Sequence, residues 1–168
     1  MRRYLQIVDR HKASSWLRLA NYFLDRIFIQ IIFYSVIFLF GILYVLIVGE
    51  EIDSERIEND IAINLSFALV YLLFAFSYYY LTERYYGRTI AKFITGTKVI
   101  SIDGNEPTSK QIIARTFSRA VPFNALSFLG ETGWHDSWSE TRVINLKNYE
   151  SEKQAKADIN SLGEKEIA

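Results

Sequence analysis

IFIQIIFYSVIFLFGILYVLIV, Ile27 to Val48, runs for 22 residues without a charge. As a helix rising 1.5 Å per residue it covers about 33 Å, enough to cross a hydrocarbon core of roughly 30 Å. A second run, IAINLSFALVYLLFAFSYYYL from Ile61 to Leu81, has 21 residues and again no charge. A chain of 168 residues is too small to wrap two helices that are apolar all round. The two runs therefore predict transmembrane helices over about 20–48 and 61–81. The first is longer than the apolar core of a signal peptide, and no small-residue cleavage site follows it, so it is expected to be retained.

Working outward from these runs, the charges segregate. Residues 1–26 carry Arg2, Arg3, Arg10, Lys12, Arg18 and Arg26 against Asp9 and Asp25. The connection EEIDSERIEND holds Glu50, Glu51, Asp53, Glu55, Glu58 and Asp60, with Arg56 its one base. Residues 82–119 carry seven basic and three acidic residues. Lys and Arg accumulate on the cytoplasmic side of membrane helices, so both termini are expected inside and the acidic loop outside, in a multi-pass protein of the cell membrane. The overall balance, 19 Lys+Arg against 19 Asp+Glu, is thus an average over two sides. It gives no basic excess for nucleic acid, and no nucleic-acid partner is expected.

Zero cysteines exclude disulfides, thiolate zinc sites and a cysteine nucleophile. His11 and His135 are the only histidines, too few for a zinc site without cysteine. No phosphate-cradling glycine motif or nucleophile elbow appears, so neither an enzyme nor a cofactor or metal is expected.

Tyr78, Tyr79, Tyr80, Tyr85 and Tyr86 cluster where the second helix leaves the membrane and suit an aromatic belt at headgroup level. Beyond them, Arg84, Arg88 and Lys92 stand at i, i+4 and i+8, a basic stripe toward anionic headgroups if the segment stays helical through Gly87. TKVISIDGNEPT combines a β-branched run with an Asp103-Gly104 turn signal and predicts a short cytoplasmic β-hairpin. Thr108 to Val121 reads as a helix with capping-box spacing from Thr108 to Gln111 and Pro122 as its stop. Ile112, Ile113, Phe117, Ala120 and Val121 fall on one face and Arg115 with Arg119 on the other. That pattern suits an amphipathic helix on the membrane surface, its arginines at the headgroups, or one docked on the two spans. VPFNALSFLG, which follows, is too short to span alone and is read as interfacial or re-entrant.

The fold class expected is an all-α membrane protein with two transmembrane helices, a cytoplasmic hairpin and an amphipathic C-terminal helix. Residues 1–14 form a cytoplasmic segment, 15–144 the membrane domain, and 145–168 a polar, disordered or loosely helical tail.

Arg18 and Asp25 are seven residues apart, close to two helical turns, so they share a face about 10 Å apart with Asn21 and Tyr22 between. Two registers fit: a helix starting near Ser15 that carries Asp25 into the bilayer, or Asp25-Arg26 marking its cytoplasmic edge. RLANYFLD (Arg18–Asp25), the two apolar helices, YYLTERYYGRTIAKFITGTKVISIDG and GWHDSWSETRVI together resemble the RDD family of bacterial membrane proteins over roughly residues 15–144. That family is named for one arginine and two aspartates, which by motif position correspond to Arg18, Asp25 and Asp136. The segment before His135-Asp136 departs from the pattern in being shorter and less apolar than the third helix of some members.

The resemblance implies a cytoplasmic-membrane protein without catalytic triad or cofactor, and transport of an unidentified ion or ligand. On that reading Asp25 and Asp136 bind a cation or exchange protons while Arg18 keeps one of them ionised. Two helices cannot line a pore alone, so transport implies a homo-oligomer or a membrane protein partner. The other reading makes Arg18 with Asp25 or Asp136 a structural lock in a non-transporting scaffold or regulatory module.

Overall fold

The computed structural model describes residues 5–49, 54–119, 121 and 133–167. Helix α1 is Gln6–Arg10 and α2 is Ser15–Val48. Ser14 starts α2 by accepting the Leu17 N–H at 3.2 Å, and Gly49, at φ +76°, ends it in the left-handed conformation that glycine adopts without strain. The short helix α3 (Ser54–Asn59) leads to α4 (Ile61–Tyr86). Asp60 caps α4 by accepting from the Ala62 and Ile63 N–H groups at 2.8 and 3.2 Å.

The two long helices run antiparallel. Phe33 packs on Tyr71 and Phe74 with ring centroids 5.2 and 5.5 Å apart, while nearer the start of α2 Asp25 meets Tyr78. Almost none of their most apolar stretches is buried within the protein, so these helices present apolar surface outward on nearly every side.

Gly87, at φ +65°, ends α4, and α5 (Ile90–Ile94) follows. This break dissolves the expected stripe of Arg84, Arg88 and Lys92. Arg84 remains exposed and donates to Ser109 Oγ at 3.0 Å. Arg88 lies over the Phe93 ring at 5.2 Å, and Lys92 turns inward.

Strand β1 (Thr97–Ser101) then pairs antiparallel with β2 (Thr141–Asn145), from Thr97 opposite Asn145 to Ser101 opposite Thr141. The expected local hairpin is therefore corrected. The turn at Asp103-Gly104 forms, with Gly104 at φ +80° and Asp103 Oδ1 accepting from the Asn105 N–H at 3.1 Å. The chain leaving that turn enters α6 (Ser109–Arg119) instead of returning along β1. A bridge from Lys12 to Ile144 flanks the other side of β2, which places β2 between the N-terminal segment and β1.

The capping box of α6 forms as spaced: Thr108 N–H donates to Gln111 Oε1 at 3.0 Å and Gln111 N–H to Thr108 Oγ1 at 3.4 Å. The helix docks with Arg115 and Arg119 inward, against the headgroup expectation, while Ile112 of the apolar face is fully buried too. Arg115 is fully buried and Arg119 nearly so, while Phe117 is 62% exposed and touches Phe76 with centroids 5.0 Å apart. The helix docks its cationic side because two carboxylates wait beneath it, and its exposed apolar side continues the outward apolar surface of α4. The expected interfacial or re-entrant segment lies, from residue 122 to 132, outside the described residues.

Helix α7 (Trp134–Trp138) precedes β2, and α8 (Leu146–Ile167) follows it. The tail is thus helical, and its start is tied to the fold. Tyr149 is buried with Val8, Ile100 and Ile144, and Glu152 meets Arg10 at 2.8 Å and His11 at 2.5 Å. A second small core joins Ala13, Val99 and Val143, with Leu17 against it.

Candidate functional site

One stripe of α2 is buried: Arg18, Asn21, Asp25, Ile29 and Phe33, spaced by three and four residues. Its lower part is polar because the elements that cover it are polar there as well. Asn21 accepts from Thr95 Oγ1 at 2.8 Å and donates to Thr97 Oγ1 at 3.0 Å. Asp25 accepts from Thr89 Oγ1 at 2.6 Å, Tyr78 Oη at 3.1 Å and the Ala91 N–H at 3.2 Å. The aspartate thereby holds the chain just after α4 against α2 through three uncharged donors. Tyr78 in turn accepts the Ile90 N–H at 3.1 Å.

Asp136 is the second hub. Arg18 donates to its Oδ2 at 3.1 Å, Arg115 Nη1 donates to its Oδ1, and His135 Nε2 lies 3.5 Å from Oδ1. Residues from α2, α6 and α7 thus meet on one carboxylate. Glu83, at the end of α4, is the third hub. Lys92 Nζ donates to its Oε1 at 2.7 Å, Arg119 Nη2 to the same oxygen at 2.6 Å, and Arg115 Nε lies 3.2 Å from its Oε2. Arg115 therefore bridges Glu83 and Asp136, and it also donates to Thr141 Oγ1 on β2 at 2.8 Å. The Arg119 guanidinium stacks on the Tyr79 ring, 4.2 Å from its centroid.

A cavity of about 20 Å³ lies among these groups, lined by Arg18, Asp25, Lys92, Arg115, Arg119 and His135 with tyrosine and valine neighbours. That is room for roughly one water-sized species.

The electrostatics follow from burial against pairing. Burial drives Lys92 below the ordinary amine range, opposed by Glu83. Burial alone would raise the Asp136 carboxyl, but the Arg115 guanidinium, with Arg18 beside it, holds it well below the usual carboxylate range. Burial pushes His135 well below the ordinary imidazole range, with Asp136 only partly compensating, so the ring is neutral near pH 7. A lowered folded-state value means the unfolded chain takes up a proton that the folded chain refuses, so stability falls as pH drops below the unfolded value of about 6.5. The slope approaches at most about 1.4 kcal/mol per pH unit for this one proton. Thermal unfolding of the detergent-solubilised protein from pH 7 to 5 is expected to show this decline, and His135→Gln to flatten it. An unchanged slope in the variant would assign the decline elsewhere, because Asp136 adds its own loss only below about pH 4.

Of the residues singled out from sequence, Arg18, Asp25 and Asp136 all reach the cluster, with Arg18 paired to Asp136. Lys92, Arg115 and Arg119, expected at headgroups, are interior members of it, because each has a buried carboxylate as partner. Arg84 and Arg88 stay outside it. Tyr78 and Tyr79 leave the expected aromatic belt for the cluster, while Tyr85 and Tyr86 are exposed. Glu83, a carboxylate with three cationic partners, carries no sequence expectation. The available signal was an acid closing an apolar helix amid arginines.

Two long outward-apolar helices joined to a small α/β unit by a buried charge cluster define a membrane-type protein. The RDD family model matches residues 12–140, well over half of the chain, and the chain belongs to the RDD family. Neither a curated protein nor a solved structure matches it.

Proposed function

We propose that this RDD-family chain is a two-span protein of the cell membrane that moves an ion or small solute as a homo-oligomer, using the cluster around Arg18, Asp25 and Asp136. The observation that carries the reading is the water-sized cavity lined by Arg18 and Asp25 beside the Asp136 hub, at the start of α2 and the end of α4. Buried ionisable groups bordering a membrane core are costly, and lining a water-sized space suits them to an ion or proton pathway.

Both termini lie in the cytoplasm and the acidic connection outside, in keeping with the charge bias. Helix α2 has 34 residues, about 51 Å, so a core of roughly 30 Å consumes only about 20 of them. Counted back from Val48, the core ends near Ile29, and Asp25 sits at the inner face. Arg84 and Arg88 contact headgroups there, and the apolar sides of α2 and α4 face lipid or a second copy.

Reconstituted in liposomes, the protein is expected to pass ions or protons above the level of empty vesicles, and Asp25→Asn to reduce that flux at least several-fold. Absence of flux, or full flux in the variant, would remove this reading. The other reading, a non-transporting module locked to the membrane helices, draws support from the saturation of Asp25 by three donors. It is the reading left standing when the variant stays folded and no flux is found.

A further inference from the structure

The buried cluster holds more positive than negative charge. Among the described residues, Arg18, Lys92, Arg115 and Arg119 supply four cations, and Asp25, Glu83 and Asp136 three carboxylates. The carboxylates are already engaged by the donors described above. Arg115 Nε and Glu83 Oε2 face each other at 3.2 Å as an ion pair without a hydrogen bond, and Arg115 Nη2 and Arg119 Nη1 have no hydrogen-bond partner among the described residues. Their side chains are 0% and 8% exposed, so bulk water does not serve them. Both side chains line the same cavity, with Arg18 and Lys92 also on its wall.

A buried charged donor without an acceptor is expensive, and surplus charge in a low-dielectric interior adds to that cost. Three occupants could relieve it. A water molecule accepts hydrogen bonds but leaves the surplus charge. Loss of a proton from Lys92 balances the charge but leaves both guanidinium edges unmet. An anion does both.

We propose that the cavity binds one small monovalent anion of chloride type, held between Arg115 and Arg119 with Lys92 beside it. At about 20 Å³ the space admits a halide-sized ion and excludes an organic anion such as gluconate.

The inference shares the cavity with the transport reading but not its premise, since an ion bound only to the folded state raises stability with or without flux. The test is thermal unfolding of the full chain in neutral detergent, with chloride or bromide replacing gluconate at constant ionic strength. Halide is expected to raise Tm by several degrees, and bromide to give an anomalous diffraction signal in the cavity of a crystal. Val143→Ile adds a methyl group at the cavity wall without touching any charge and is expected to abolish the halide response while the chain stays folded. Equal Tm in halide and gluconate, an undiminished response in Val143→Ile, or a cavity without bromide would each overturn the proposal. A cation flux in liposomes with no halide dependence of stability would leave transport standing and remove the anion site.

Discussion

Glu83→Gln is expected to lower stability by about 3–5 kcal/mol, the range for removing one partner of a buried ion pair. The substitution keeps shape and removes only charge. Three cations, Lys92, Arg115 and Arg119, then face an amide that offers one acceptor oxygen and brings two further donors. The relief available is loss of the Lys92 proton, since that amine already lies below its ordinary range through burial, with Glu83 the main force opposing the shift. Removing Glu83 removes that opposition. In the variant the folded state holds the Lys92 proton less tightly than the unfolded chain does, so stability should rise with pH up to the unfolded value of about 10.5. Lys92→Met added to Glu83→Gln should recover part of the loss and abolish that pH dependence. Thermal and denaturant unfolding in detergent, followed by far-UV circular dichroism across pH, measures both effects. A loss under about 1 kcal/mol would mean that water reaches Glu83 and that the cluster is not the closed network described here.

The same residue marks how far the sequence could be read. The apolar runs were legible because membrane-length hydrophobicity is local and needs no partner: α2 and α4 fall where Ile27–Val48 and Ile61–Leu81 placed them. The shared face of Arg18, Asn21 and Asp25 on α2 is legible for the same reason, since helix geometry fixes the spacing, whereas its burial depends on the elements that cover it. The capping box of α6 is likewise local and forms as spaced.

What failed depended on residues far apart in sequence. The turn signal at Asp103-Gly104 predicts a hairpin partner for β1, but β2 offers the β-branched stretch Thr141–Asn145 forty residues later. In β2 the alternation that would announce a strand is blurred, because Val143 and Ile144 are both buried. The rule that arginines face water or headgroups orients α6 the other way. That rule yields once Glu83 and Asp136 converge beneath the helix, and no spacing within α6 reveals the convergence. The inversion leaves Phe117 and Ile113 exposed, Phe117 on the Phe76 ring of α4.

Asp136 carries the second large expectation. Asp136→Ala should cost about 3–5 kcal/mol and lower the yield of folded protein, because it removes the carboxylate that ties Arg18 of α2 to α7 and one of the two carboxylates that Arg115 bridges. Asp25→Asn should cost less, about 1.5–3 kcal/mol, since the Asp25 donors are two hydroxyls and one amide and no cation is left unpaired. The ranking is as informative as the sizes, because the resemblance puts both aspartates at motif positions and treats them alike. A compensating pair separates lock from ligand site. Arg18→Met with Asp136→Leu removes one cation and one carboxylate together, filling the space with apolar atoms and leaving Arg115 its pair with Glu83. Replacement of a buried ion pair by packed apolar groups is commonly neutral or stabilising by about 1–4 kcal/mol, so the double variant should be markedly more stable than Asp136→Ala. If Arg18 and Asp136 serve only to hold α7 against α2, that variant should retain every property of the native protein. If they serve an ion, it should fold and lose flux, and a charge pair that stability does not require would then owe its place in the cluster to the ion it handles.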